Sequence, residues 1–134
     1  MRLYLDASAV LKAYLDEHET ERALLAVRSA DAICSSRIAR TEILGRLLRV
    51  DALPRLLDDF DELWAGVTVI NLSERLADRA AVLVSTRRLR TLDAIHLASA
   101  LEVGDEDLVF ATWDRRLWDA AVAEGLRVLP DARP

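Results

Sequence analysis

The sequence predicts an α/β fold: a parallel sheet covered by helices on both faces. Three observations carry that reading. Five short apolar runs recur along the chain, segments with apolar residues three and four apart lie between them, and no Gly- or Pro-rich linker, repeat or low-complexity stretch divides the sequence. Alternation of this kind is the pattern of parallel strands buried from both sides. With 134 residues, 52% of them hydrophobic and 31% charged, residues 1–134 have the length of a single domain and enough apolar side chains to fill a layered core.

Residues 3–5 read as a first buried strand that closes on Asp6, and helical spacing follows over 8–15 and 19–29. A second strand is expected at 32–35, then helices over 38–50 and 53–64, with Pro54 in a first turn where its missing N–H costs nothing. The third strand is expected at 67–72, and Ser73 is placed to cap a helix reaching residue 88. Residues 92–103 are apolar almost all round, which predicts a buried helix, and Gly104 follows as its stop. A fourth strand at 108–111, a helix over 115–124 ended by Gly125, and a last strand at 126–129 complete the chain.

No apolar run approaches the roughly 20 residues that span a bilayer, and a charge at Asp6 comes too early for a secretory signal core. The expectation is a cytoplasmic protein without a membrane partner. The lone Cys34, inside an apolar segment, reads as a small hydrophobe. The net charge of -5 argues against a protein that coats nucleic acid without specificity. The cations are almost all arginine, however, since Lys12 is the only lysine, and the guanidinium fork suits bidentate phosphate contacts. Arg37, Arg40, Arg46 and Arg49 fall on one predicted helix, Arg87, Arg88 and Arg90 precede Asp93, and Arg115 and Arg116 follow Asp114. Asp58, Asp59, Asp61 and Glu62 read as a solvated helix face.

Four acids occupy positions where a lone negative charge is costly. Asp6 ends a strand and points to the crevice beyond the carboxyl edge of the sheet, where ligands of open α/β sheets bind. Glu42 falls at the edge of a core-facing helical arc, and its plain alternative is a rim glutamate paired with Arg46 or Arg49. Asp93 lies in the first turn of the apolar helix. The helix dipole contributes only about 0.3–1 kcal/mol there, against several for desolvating an unpaired carboxylate. Asp114 is also a good N-cap, and Ser8 shares that simpler reading. A divalent cation such as Mg²⁺ or Mn²⁺ would reconcile the four, and such ions serve phosphodiester hydrolysis by activating water and neutralising phosphate charge. His96 is expected in the core or behind the site, because hard cations favour oxygen. Trp113, beside the acids, is a core or dimer-interface residue or, if exposed, a stacking platform for a base.

The segments Tyr4-Leu5-Asp6-Ala7-Ser8-Ala9-Val10-Leu11-Lys12, Ser35-Ser36 followed by Glu42, Leu92-Asp93-Ala94-Ile95-His96-Leu97-Ala98 and Thr112-Trp113-Asp114-Arg115-Arg116-Leu117 stand in the order of the motifs of PIN-domain ribonucleases. The chain resembles, over nearly its whole length, the VapC-type toxins of toxin–antitoxin pairs. That resemblance implies a three-layer α/β/α PIN-like fold, with Asp6, Glu42, Asp93 and Asp114 as catalytic residues and Mg²⁺ or Mn²⁺ ligands, and with Ser8 and Thr112 lining the site. It further implies endonucleolytic RNA cleavage, a homodimer and a small cognate antitoxin. Two other readings stand beside it: a catalytically silent protein-binding module, and a phosphotransferase with an aspartyl nucleophile. The latter needs a second aspartate where this chain has Ser8.

Overall fold

A computed structural model describes residues 1–15, 19–51 and 53–134. Strand β1 (Arg2–Leu5) is the centre of a wholly parallel five-stranded sheet ordered β3-β2-β1-β4-β5, in which β2 is Ala32–Ser36, β3 Val67–Ile70, β4 Leu108–Ala111 and β5 Arg127–Leu129. Helices α1 (Ala7–Tyr14), α2 (Thr20–Ser29), α3 (Arg37–Arg49), α4 (Pro54–Ala65), α5 (Glu74–Arg87), α6 (Thr91–Val103) and α7 (Arg115–Ala123) connect the strands.

Side chains alternate across a strand, and β1 shows the result. Leu3 and Leu5 join a core with Ile43 and Leu47 of α3 and Phe60 of α4, whereas Tyr4 joins a second core with Leu83 of α5, Leu97 of α6 and Leu117 of α7. Phe110, opposite Tyr4 in β4, stacks on its ring at 5.1 Å between centroids. Each large side chain buried this way contributes roughly 1.5–3 kcal/mol. The two cores on the two faces of one sheet are the expected three-layer α/β/α architecture. Helix α6 is buried through seven consecutive residues, Ala94 to Ala100, as its all-round apolar sequence requires.

Polar residues at strand exits start the helices. Asp6 caps α1 through Ala9 N–H, Ser36 caps α3 through Ile38 N–H, Ser73 caps α5 through Leu76 N–H, and Asp114 caps α7 through Leu117 N–H. Caps of this kind contribute about 1 kcal/mol each. Most boundaries shift by a residue, and three of the shifts have a visible cause. Helix α1 begins at Ala7 because Asp6, not Ser8, is its cap. Strand β3 stops at Ile70, after which Asn71 accepts a hydrogen bond from Arg37 and Leu72 is exposed. Strand β5 starts at Arg127 because Leu126 N–H still bonds to Ala121 at the end of α7.

The chain adds β2 and β3 to one side of β1, then β4 and β5 to the other. Connections leaving β1 and β4 therefore diverge at the carboxyl edge and open a crevice between them. Asp6 leaves β1 at that edge, and Thr112 to Asp114 leave β4 there.

Candidate active site

A cavity of about 420 Å³ occupies the crevice, and Asp6, Glu42, Asp93 and Asp114 all line it together with Ser8. Four elements far apart in sequence thus bring their acids to one place: the exit of β1, the first half of α3, the first turn of α6 and the N-cap of α7. Thr112, expected in the lining, is fully buried behind Asp6 instead.

Asp6 is 3% exposed and is held by donors. Its Oδ1 accepts the Ala9 N–H at 2.8 Å and the Ser8 hydroxyl at 2.7 Å, while Oδ2 accepts the Thr112 hydroxyl at 2.5 Å. Those hydroxyls are themselves fixed, because Trp113 N–H donates to Ser8 Oγ and Asp114 N–H donates to Thr112 Oγ1. Burial raises the Asp6 pKa, against the pull of His96, Thr112, Ala9 and Ser8. Ser8 therefore serves the strand-end carboxylate rather than the helix end.

Asp93 has no such support. Among the described residues nothing donates a hydrogen bond to its carboxylate, and its pKa is pushed up to about 6, first by burial and then by the charges of Asp114 and Asp6, with Arg90 and His96 opposing. Like charges forced together without a partner are the signature of a site that receives a cation or a proton.

Glu42 does not pair with Arg46 or Arg49. Its Oε1 lies 2.7 Å from His96 Nε2, and the other ring nitrogen, Nδ1, lies 2.9 Å from the Tyr4 hydroxyl. Burial holds the Tyr4 hydroxyl protonated, with its pKa well above the usual value, so it can donate to Nδ1. The ring proton then resides on Nε2, aimed at Glu42. His96 is 1% exposed, which places it in the core as expected, but with both nitrogens engaged in orienting a site carboxylate. Sequence reasoning could not supply that pairing, since α3 and α6 meet only in the fold. It also left out Lys12 and Arg46, which line the cavity wall. His18 lies outside the described residues.

Asp114 lines the cavity while its Oδ1 caps α7 at 2.9 Å, so the two readings of this residue coexist. Trp113 is half-buried and donates from Nε1 to Glu19 at 2.6 Å, which ties the start of α2 to the cavity rim. Cys34 is buried, with its pKa pushed to about 11 by desolvation, as an inert thiol requires.

The donor set has the chemistry of a hard cation site: carboxylate oxygens and hydroxyls, no thiol, and a histidine already committed. Among the described residues no three His, Cys, Asp or Glu side chains stand close enough to grip an ion directly. Mg²⁺ does not demand that, because it keeps several waters and is commonly held through one or two carboxylates. The unrelieved repulsion at Asp93 is the feature that a bound cation would remove.

A PIN domain family model matches residues 3–123 of the chain. The chain belongs to the PIN domain family. Within that family its relatives include Ribonuclease VapC49 of Mycobacterium tuberculosis, 38% identical over 136 aligned positions that cover 96% of this chain and 94% of the relative. Ribonuclease VapC46 of the same organism is 33% identical and covers 95% of both chains. Solved structures agree on the PIN fold: a toxin–antitoxin complex from Klebsiella pneumoniae aligns over 100% of both chains with a TM-score of 0.74 at 21% identity. M. tuberculosis VapC20, a toxin that cleaves the sarcin–ricin loop, aligns over 98% of this chain and 99% of its own with a TM-score of 0.74 at 17% identity. This PIN domain is thus of the VapC type.

Proposed function

We propose that this protein is a Mg²⁺- or Mn²⁺-dependent endoribonuclease, cytoplasmic, and the toxin of a toxin–antitoxin pair. The observation that carries the reading is the convergence of Asp6, Glu42, Asp93 and Asp114 on one cavity, with Asp93 left electrostatically unsatisfied. The VapC relatives are named ribonucleases, and the similar fold from K. pneumoniae was solved as a toxin–antitoxin complex, which supports the substrate and the partner. A homodimer with a small cognate antitoxin is part of the same reading.

Asp6, Glu42 and Asp93 would hold the ion in part through its bound waters, with Asp114 as a fourth acid that also starts α7. When bound, the ion supplies a more acidic water and neutralises charge on the phosphate under attack. The protein's own share is placement. Ser8 and Thr112 fix the direction of the Asp6 lone pairs, and His96 with Tyr4 behind it fixes Glu42. Lys12 and Arg46 give the cavity positive wall positions toward which a phosphate oxygen can turn. Water attack at phosphorus needs no nucleophilic side chain, in keeping with a cavity whose only hydroxyl among the described residues, on Ser8, donates to Asp6.

The test is cleavage of a labelled structured RNA by the purified chain with and without Mg²⁺ or Mn²⁺, beside Asp6→Asn and Asp93→Asn. Metal-dependent cleavage that falls by about 10³-fold or more in either variant, matched by loss of growth arrest on expression, is the expected result. Activity that survives both substitutions would leave a protein-binding role as the better account.

A further inference from the structure

We propose that the groove between the end of α5 and one face of α7 binds the sugar–phosphate backbone of the RNA beside the scissile bond. The proposal rests on the ribonuclease reading and extends it to where the substrate lies.

The groove measures about 630 Å³ and presents Arg87, Arg88, Arg116 and Asp119 along its length. Two of these are already engaged. Arg87 donates from Nε to Glu124 at 2.8 Å and from Nη2 to the Ala123 carbonyl, which ties the end of α5 to the end of α7; Asp119 accepts from Nε and Nη2 of Arg133 at 2.8 and 2.9 Å. Arg88 and Arg116 make no ion pair among the described residues. In a chain of net charge -5, two arginines outside any ion pair in one concave surface, where Arg87 and Asp119 are each neutralised by a partner, are a local excess of positive charge, and positive clefts concentrate polyanions.

Arg88 adds a second, independent observation. It closes α5 in the left-handed conformation, at φ 54° and ψ 39°, where a side chain with a Cβ is disfavoured and glycine is the ordinary residue. Helix α6 ends in that ordinary way, with Gly104 at φ 63°. The backbone at Arg88 accepts strain that a glycine would remove, and strained positions concentrate at functional sites. A guanidinium serving only as a C-terminal dipole partner could be carried one residue earlier without strain, as Arg87 is.

The groove arginines also stand close in sequence to two of the acids. Arg116 is the second residue of α7, whose N-cap Asp114 lines the catalytic cavity, and Arg88 is followed by buried Leu89 and then by α6, with Asp93 in its first turn. A strand whose scissile phosphate enters the cavity has flanking phosphates to place, and the four acids would repel them. Arg88 and Arg116 supply the compensating contacts.

The experiment uses the full chain in chelator, so that RNA is bound without being cut. Anisotropy of a labelled single-stranded RNA is followed against salt for wild type, Arg88→Gly, Arg116→Gln, the double variant and the remote Arg55→Gln. Each groove substitution should lower the magnitude of the log K against log salt slope by about 0.7 and weaken binding roughly fivefold at 0.1 M salt, while Arg55→Gln leaves both unchanged. Thermal melting should find Arg88→Gly at least as stable as wild type, the reverse of what a helix-end stabiliser would show. With metal added, cleavage should show a raised KM and an unchanged kcat. A wild type that cleaves RNA while the double variant keeps its affinity and salt slope would overturn the groove assignment alone. A wild type that neither binds nor cleaves RNA would overturn the ribonuclease reading and the groove with it.

Discussion

Asp6 and Asp93 line the same cavity, yet the fold treats them in opposite ways. Asp6 is the more buried of the two and is surrounded by donors, the Ala9 N–H and the hydroxyls of Ser8 and Thr112. Asp93 is less buried and has none among the described residues, and its pKa is pushed to about 6. Burial alone does not decide how costly a carboxylate is; the partners supplied with it do. Asp6 is thus a pre-organised anchor whose donors offset part of its burial, and Asp93 is the charge left without a hydrogen-bond donor among the described residues.

The largest effects should come from replacing each acid by its amide. Asp6→Asn and Asp93→Asn should both abolish cleavage, but their stabilities in chelator should move apart. Asp6→Asn turns an NH₂ toward hydroxyls arranged to donate and should lose about 1–3 kcal/mol, while Asp93→Asn removes an unpaired charge and should gain up to about 1 kcal/mol. Urea denaturation at neutral pH reads both. Losses of equal size would erase the contrast.

Glu42 is the intermediate case, with one partner. His96→Leu strips Glu42 and Tyr4 of that partner and should cost about 1–3 kcal/mol and weaken Mn²⁺ binding. His96→Gln keeps an N–H in reach of Glu42 and should recover part of both. Calorimetric Mn²⁺ affinity and denaturation of the two variants decide whether the histidine orients Glu42 or only fills space.

The pH dependence sharpens the comparison further. A carboxyl with a raised native pKa binds its proton more tightly folded than unfolded, so its contribution to stability is present at low pH and is lost as pH rises from 3.8 to about 6. Wild type in chelator should therefore lose about 1–2 kcal/mol relative to Asp93→Asn across that window, and saturating Mn²⁺ at higher pH should return it. A difference between the two proteins that is flat with pH would remove the basis for calling Asp93 unsatisfied. The smallest effect is expected of Ser8→Ala, because Thr112 and the Ala9 N–H still hold Asp6; a loss of about 0.5–1.5 kcal/mol in the same denaturation series is the expected reading.

Much of this was legible in local sequence. Four of the five strands begin and stop within a residue of their apolar runs, since strand and helix periods differ and turn residues mark the joins. The all-apolar stretch around Ala98 had to be a buried helix. Acids at a strand exit and in first helical turns pointed to the carboxyl edge, because topology sends such positions there. What local pattern could not carry was pairing at a distance. Glu42 had two arginines on its own helix as obvious partners, and the fold gave it His96. Ser8 looked like a cap and proved to be a donor to Asp6. Leu72 looked like the end of a strand, but Asn71 turns the chain away to meet Arg37. The arginines of α3 also divide only in three dimensions: Arg40 pairs with Asp61 of the acidic face on α4, while Arg46 turns to the cavity.

Calorimetric titration of Mn²⁺ into the chelator-treated wild type and Asp93→Asn at neutral pH bears most directly on the claim that a divalent ion is what this acid cluster awaits. Saturable binding by the wild type that Asp93→Asn loses is the predicted outcome. Absence of binding to the wild type, or equal binding by both proteins, would contradict it.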